Sequence, residues 1–203
     1  MARILILLAH PQIEQSRATR ALADAAGQLA TTQPGLALRD LYALYPDYLV
    51  DVAAEQAALA GVELLVWLHP IHWYGMPPLM KLWLDEVFAF GWAYGPGGTA
   101  LAGADLWLAT STGGLESSYH PSGHNRYLFD GFMPPYEQTA TLAGLRFLPP
   151  LVLHGAHKAD AEEIAAHAAV FAQRLRSYPA WPELDEIDAC VACEVPRDAR
   201  PAD

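Results

Sequence analysis

Three stretches of this sequence gather residues able to bind a ligand or move charge. The first, His10-Pro11-Gln12-Ile13-Glu14-Gln15-Ser16-Arg17-Ala18-Thr19, follows a run of apolar residues and precedes a helical pattern. A helix N-terminus offers free N–H groups and a positive dipole end to an anion. His10, Ser16, Arg17 and Thr19 add donors suited to a phosphate. Neither Gly-x-Gly-x-x-Gly nor the Walker pattern occurs here, so dinucleotide or nucleoside-triphosphate binding by those routes is not indicated. Taken alone, the stretch reads more readily as a Ser16 helix cap with His10 filling a turn.

The second stretch is His69-Pro70-Ile71-His72-Trp73-Tyr74-Gly75-Met76-Pro77-Pro78. Trp73 and Tyr74 offer flat surfaces for a planar heterocycle, and the backbone supplies N–H donors. The competing reading packs these aromatics beneath the following helix. The third stretch, Ser111-Thr112-Gly113-Gly114-Leu115-Glu116-Ser117-Ser118-Tyr119-His120, carries two glycines that permit close backbone approach to a ligand. Tyr119 and, further on, His124 are donors that could stand beside a developing negative charge. Singly, a Thr-Gly-Gly turn, a Tyr or a His is ordinary structure.

The elements between these stretches decide whether they meet. Five segments read as strands: residues 4–8, 36–41, 62–68, 105–110 and 145–154, the last with Pro149-Pro150 expected to bend it or limit its pairing. Helical patterns begin after Ser16, at Asp51, at Pro77-Pro78 and at Asp160. The helix after Pro77 is apolar around much of its circumference, which suggests a subunit interface. Strands alternating with helices predict a doubly wound, five-stranded parallel sheet in the flavodoxin-like order 2-1-3-4-5, with helices on both faces. Ligands of such sheets bind beyond the strand carboxyl ends, at the switch point. The three stretches follow strands one, three and four. One suits a phosphate, one a flat ring and one a polar ring edge, which together describe a flavin mononucleotide.

Composition narrows the class. The chain has 203 residues, 53% hydrophobic and 17% charged, enough for one substantial core and unlike a disordered chain. Its net charge of −11 and the lack of clustered Lys and Arg argue against nucleic acid as a partner. No apolar run approaches the roughly 18 residues of a membrane span, and the N-terminal run stops at His10-Pro11, so a soluble cytoplasmic protein is expected. Cys190 and Cys193 form a lone Cys-x-x-Cys. A structural zinc site needs four ligands, so no metal is expected, and the pair reads as incidental surface chemistry or a regulatory thiol pair. Residues 1–178 form the expected domain, and residues 179–203 read as an acidic, irregular tail.

The chain resembles the flavodoxin-like NAD(P)H:quinone oxidoreductases, most closely the ancillary flavoproteins of glutathione-gated potassium-efflux antiporters. The resemblance lies in Ala9-His10-Pro11 with Ser16, the run from His69 to Tyr74, Pro77-Pro78-Leu79-Met80-Lys81-Leu82-Trp83, Gly91-Trp92-Ala93-Tyr94-Gly95 with Gly97-Gly98, and Ser111-Thr112-Gly113-Gly114. Leu41-Tyr42, Tyr45-Pro46-Asp47 and Ala53-Ala54-Glu55-Gln56 agree as well. It implies that His10, Ser16, Arg17, Ala18 and Thr19 hold the phosphate and ribityl end of FMN. Ile71, His72, Trp73 and Tyr74 would lie against the ring, and Ser111, Thr112, Gly113 and Gly114 would contact its pyrimidine edge. Tyr119 and His124 would act as the catalytic pair that relays charge. Departures are His72, where relatives often have Gln, and Ser111, where Thr is usual.

The resemblance further implies a homodimeric, two-electron, ping-pong reductase of quinones that uses NAD(P)H as co-substrate. FMN is expected rather than FAD, because relatives that use FAD carry an adenine-binding C-terminal extension and the tail of this shorter chain looks unsuited to that job. A regulatory module docked on a potassium-efflux antiporter is a second reading, which would place the protein at the inner face of the cell membrane through its partner. An azo- or nitro-reductase is a third.

Overall fold

In the computed structural model, which describes residues 3–187, the apolar run Ile4–Leu8 forms β1 and is buried on both faces. Leu5 and Leu7 enter one core cluster while Ile4, Ile6 and Leu8 enter the other, as the pleat of a doubly covered strand requires. The chain continues through α1 (Ala18–Thr32), β2 (Leu36–Asp40), α2 (Leu41–Leu44), α3 (Val52–Leu59) and β3 (Leu64–Pro70). Then come α4 (Pro78–Val87), β4 (Asp105–Ser111), α5 (Pro134–Leu142), β5 (Arg146–Leu153) and α6 (Ala161–Ser177). All four strand pairings are parallel, in the order β2-β1-β3-β4-β5. Leu22, Ala26 and Leu29 of α1 and Phe171 and Leu175 of α6 cover one face. Leu41, Leu59, Trp83, Val87 and Tyr136, from α2 to α5, cover the other.

Local chemistry explains the helix starts. Asp51 accepts from the Ala54 N–H and caps α3, while Asp160 and Glu163 form a reciprocal capping box on α6. Pro78 stands in the first turn of α4, where its missing N–H costs nothing. The Pro149-Pro150 pair does disturb pairing: Trp107 faces Leu148 and Ala109 faces Leu151, leaving a bulge between them. Trp107 Nε1–H donates to the exposed Pro149 carbonyl across that bulge, at 3.1 Å.

Two expectations change. The apolar side chains of α4 are consumed by the chain's own core: Leu79, Met80, Trp83, Leu84 and Val87 are buried, and Lys81, Asp85 and Glu86 form its exposed face. That helix therefore gives no reason to expect an interface. Trp83 also reaches Glu55, 0% exposed, whose carboxylate pairs with Arg39 and accepts from Tyr45 O–H and Trp83 Nε1–H. Full pairing is the condition under which a charge can be buried.

The acidic segment after residue 178 is also not free along its described length. Trp181, 3% exposed, packs edge-on against Trp107 at 4.9 Å, and Arg174 lies 4.8 Å above its ring. Pro182–Asp185 forms a 3-10 turn, and Arg146 donates to the Leu184 and Ile187 carbonyls. Cys190 and Cys193 lie outside the described residues. Trp181→Ala should therefore lower unfolding free energy by about 3 kcal/mol, measured by urea denaturation. An unchanged midpoint would show that the segment adds nothing to the core.

Candidate functional site

The parallel ladder runs on past the strand ends and ties the connecting stretches together. Ala9 N–H donates to Leu68 O at 3.0 Å, Ile71 N–H to Ser111 O at 2.8 Å, and Thr112 N–H to Leu153 O at 3.0 Å. These bonds close a cavity of about 460 Å³ at the carboxyl edge of the sheet. The connection after β1 contributes His10, Ser16, Arg17 and Ala18, that after β3 contributes Ile71 and His72, and that after β4 contributes Ser111, Thr112 and Gly113. A second cavity of about 280 Å³ shares Ile71 and takes Trp73, Tyr74, Gly114, Tyr119 and His124. Of the residues singled out from the sequence, Thr19 alone lies elsewhere. It is buried behind the helix start, beside Leu68, Thr110 and His167.

Hydrogen-bond bookkeeping in the first cavity leaves donors over. Ser16 Oγ accepts the Thr19 N–H at 3.1 Å, so its own hydroxyl hydrogen stays free. His10 Nδ1 accepts the Gln12 N–H at 3.1 Å, which puts the hydrogen of the neutral ring on Nε2. Burial, and then His72 with its ring 6.2 Å away, hold the His10 pKa below the ordinary histidine value, against a smaller opposing pull from Asp40. The N–H groups of Arg17 and Ala18, at the start of α1, have no acceptor among the described residues, and the Arg17 guanidinium has no carboxylate partner there. Free N–H groups at a helix start, a guanidinium, a hydroxyl and an imidazole N–H are the donor set for an anion.

The connection after β3 begins from a fixed point. His69 is fully buried and its Nδ1–H donates to the Pro70 carbonyl at 3.0 Å, while burial drives its pKa down to about 4 and keeps it neutral. His72 N–H then donates to Gly75 O at 2.9 Å and Gly75 N–H to His72 O at 3.1 Å, closing a two-residue turn. Its central residues, Trp73 and Tyr74, have φ of 49° and 65°. Asn-Gly is the usual choice for such a turn, and a left-handed bulky residue costs about 1–2 kcal/mol. Tyr74 stacks on Phe132 at 5.1 Å, but Trp73 is 94% exposed, so packing beneath α4 does not account for it. Strain of this kind clusters at active sites and ligand clamps.

In the third connection a Cβ on Gly113 would stand in open space, whereas one on Gly114 would come 3.2 Å from Asn125 Nδ2 and 3.4 Å from the Tyr119 ring. Gly114 thus sits close under both Asn125 and Tyr119. That tyrosine is edge-on to Phe129 at 5.4 Å and to Phe132 at 5.9 Å, and His124 stands exposed across the cavity it lines.

Gln15, Pro70, Ala156 and His157 also line the first cavity, and Ser118 and Asn125 the second. Ala156 and His157 follow β5, and the rule that ligands sit beyond strand carboxyl ends covers that connection as well. Ser118 belongs to the third stretch without being marked within it, and nothing in the sequence marks Asn125. No group of three or more His, Cys, Asp or Glu is placed to share a metal ion among the described residues, and no described helix is long and apolar enough to cross a membrane.

A family model described as "Flavodoxin-like fold" matches residues 2–175. The glutathione-regulated potassium-efflux system ancillary protein KefF of Citrobacter koseri is 45% identical over 180 residues, covering 89% of this chain and 97% of KefF. Among solved structures, general stress protein 14 of Treponema denticola, in complex with FMN, is 36% identical with a TM-score of 0.80, covering 86% of this chain and 98% of that one. A protein from Klebsiella pneumoniae, provisionally described as a quinone reductase, is 25% identical with a TM-score of 0.76, covering 90% and 86%.

The strained turn yields a stability test. Trp73→Asn should raise unfolding free energy by about 1 kcal/mol, since asparagine tolerates the left-handed region and the exposed indole gives up no packing. A lowered denaturation midpoint would show that the indole is held by contacts rather than against strain.

Proposed function

Because the chain belongs to the flavodoxin-like fold family, we propose that it is an FMN-dependent oxidoreductase that takes a hydride from NADH or NADPH and reduces a quinone. The observation that carries this reading is the meeting of three connections around adjoining cavities, one rich in anion donors and one walled by aromatic rings. The FMN complex of the T. denticola protein supports the cofactor, and the K. pneumoniae protein supports the acceptor class. In this reading residues 1–178 are the flavin-binding domain.

The residues present suit FMN. Its phosphate would be held by the Arg17 and Ala18 N–H groups, the Ser16 hydroxyl, the Arg17 guanidinium and His10 Nε2–H. Ile71, His72, Trp73 and Tyr74 would hold one side of the ring, and Ser111, Thr112, Gly113 and Gly114 its polar edge. FMN supplies the two-electron redox chemistry when bound. The chain's own task is to position the reactants and offer donors where negative charge develops. The Gly113 and Gly114 N–H groups, which have no acceptor among the described residues, serve that purpose with Tyr119 and His124. Nicotinamide and quinone would take turns in the cavity walled by Trp73, Tyr74 and Tyr119. Tyr74, Tyr127 and Phe132 stand in ring contact beside it, with Trp73 and Leu128 exposed. A second copy of the chain, forming a homodimer, would cover that rim.

The 45% identity to KefF supports a second, compatible reading as an ancillary subunit of a potassium-efflux antiporter, at the inner face of the membrane through that partner. Co-purification with such an antiporter tests it, and absence of any complex contradicts it.

The oxidoreductase reading predicts a yellow protein that releases FMN on denaturation and oxidises NADH or NADPH with a soluble quinone. Tyr119→Phe and His124→Gln should each slow flavin reduction by roughly 10- to 100-fold while changing FMN affinity far less. Colourless protein that takes up no added FMN would overturn the cofactor, and equal losses of rate and affinity would overturn the roles of Tyr119 and His124.

A further inference from the structure

His154 closes β5's carboxyl end and lines neither of the two cavities described above. Its Nδ1 lies 3.0 Å from the Thr112 hydroxyl, which lies 2.8 Å from the Gly114 carbonyl oxygen. A carbonyl can only accept, so the single hydroxyl hydrogen goes to Gly114. The hydrogen between Thr112 and His154 must then sit on Nδ1, and donation runs one way: His154 to Thr112 to Gly114. Burial holds the His154 pKa below the ordinary value, against a weaker pull from Glu116, in keeping with a neutral ring of this tautomer.

The same connection grips the turn through its backbone. Thr112 N–H donates to Leu153 O at 3.0 Å, Ala156 N–H to Thr112 O at 2.9 Å, and Gly155 N–H to Gly114 O at 2.8 Å. These bonds occupy the carbonyls of Thr112 and Gly114 and leave the Gly113 and Gly114 N–H groups without an acceptor among the described residues. The His154 ring also packs 5.3 Å from that of Tyr119 and 5.1 Å from that of Phe129. One imidazole thus touches both the turn that carries the free donors and the tyrosine beside them.

We propose that His154 is a positioning residue, which acts through Thr112 and Tyr119 to hold the Gly113 and Gly114 donors and the Tyr119 ring in register for the flavin. This rests on the FMN reading of the site. Thr112 takes a revised part in it: its hydroxyl is committed to Gly114 and His154, so it shapes the turn and leaves ligand contact to the neighbouring N–H groups. A histidine that merely filled space would need no particular hydrogen on Nδ1.

The test titrates the full-length protein with FMN and follows quenching of flavin fluorescence, with thermal melts to monitor folding. His154→Leu, which keeps bulk and loses the donor, should weaken FMN binding about tenfold. His154→Asn, whose amide N–H can stand where Nδ1–H stands, should recover most of that loss. Thr112→Val should match His154→Leu, and the double variant should be no weaker than either single one. Wild-type affinity in His154→Leu, equal weakness in His154→Asn, or additive losses would each overturn the proposal while leaving FMN binding intact. Should His154→Leu fail to fold, Thr112→Ser must bind FMN more tightly than Thr112→Val, and equal affinities overturn the proposal. A wild-type protein that binds no FMN would remove both the proposal and the functional reading beneath it.

Discussion

A handful of main-chain hydrogen bonds just beyond the strand ends determines what this molecule can do. Ala9 to Leu68, Ile71 to Ser111, and Thr112 to Leu153 carry the ladder across β1, β3, β4 and β5 after the strands as such have ended. They fix the spacing of the connections at the sheet's own strand separation, about 4.8 Å per step. Slippage is blocked because β1, β3 and β4 are buried on both faces. A one-residue shift would turn every Leu5- or Trp67-type side chain toward the wrong core. The precision of the cavity edge is thus inherited from the hydrophobic core below it.

Onto that rigid edge the chain places donors that its own structure leaves unsatisfied. The protein carries a net charge of −11, yet no Asp or Glu lines either cavity, and Arg17, His10, His72 and His157 line the first. With the Arg17 guanidinium and free N–H donors facing it and no carboxylate in its wall, the first cavity suits an anionic group better than the acidic surface around it does. Strain is concentrated in the same place: of the left-handed residues other than glycine, Trp73 and Tyr74 stand together in the turn after β3.

The sheet was legible because doubly buried strands announce themselves as apolar runs, unbroken in Ile4–Leu8 and nearly so in Leu64–Pro70, where His69 interrupts the run. Its order followed from alternation with helices, and the site's edge followed from that order. What escaped has physical reasons. α2 is one turn long and rests on an Asp40 cap rather than on periodicity. α5 opens on Pro134-Pro135 and buries little more than Tyr136 and Ala140, too sparse a stripe to recognise. Trp181 sits in an acidic stretch with no period, and its burial follows from contacts distant in sequence or invisible in it, with the Trp107 ring on the sheet and with Arg174 and Tyr178. The α4 helix misled in the opposite direction, since its apolar circumference is absorbed from two sides by α3 and the sheet. At the site, residue types pointed to the right stretches, but whether Thr19 or Ser16 faces the cavity depends on the rotation of one helix turn, and His154 becomes meaningful only when β5 is laid beside β4.

The central claim is that three separated connections form one binding site for a flavin phosphate. Amide hydrogen exchange with and without FMN tests it most directly. Protection should rise together in residues 16–19, 71–74 and 111–114, over one range of FMN concentration. Protection confined to one of these stretches, or absent from all three, would contradict it.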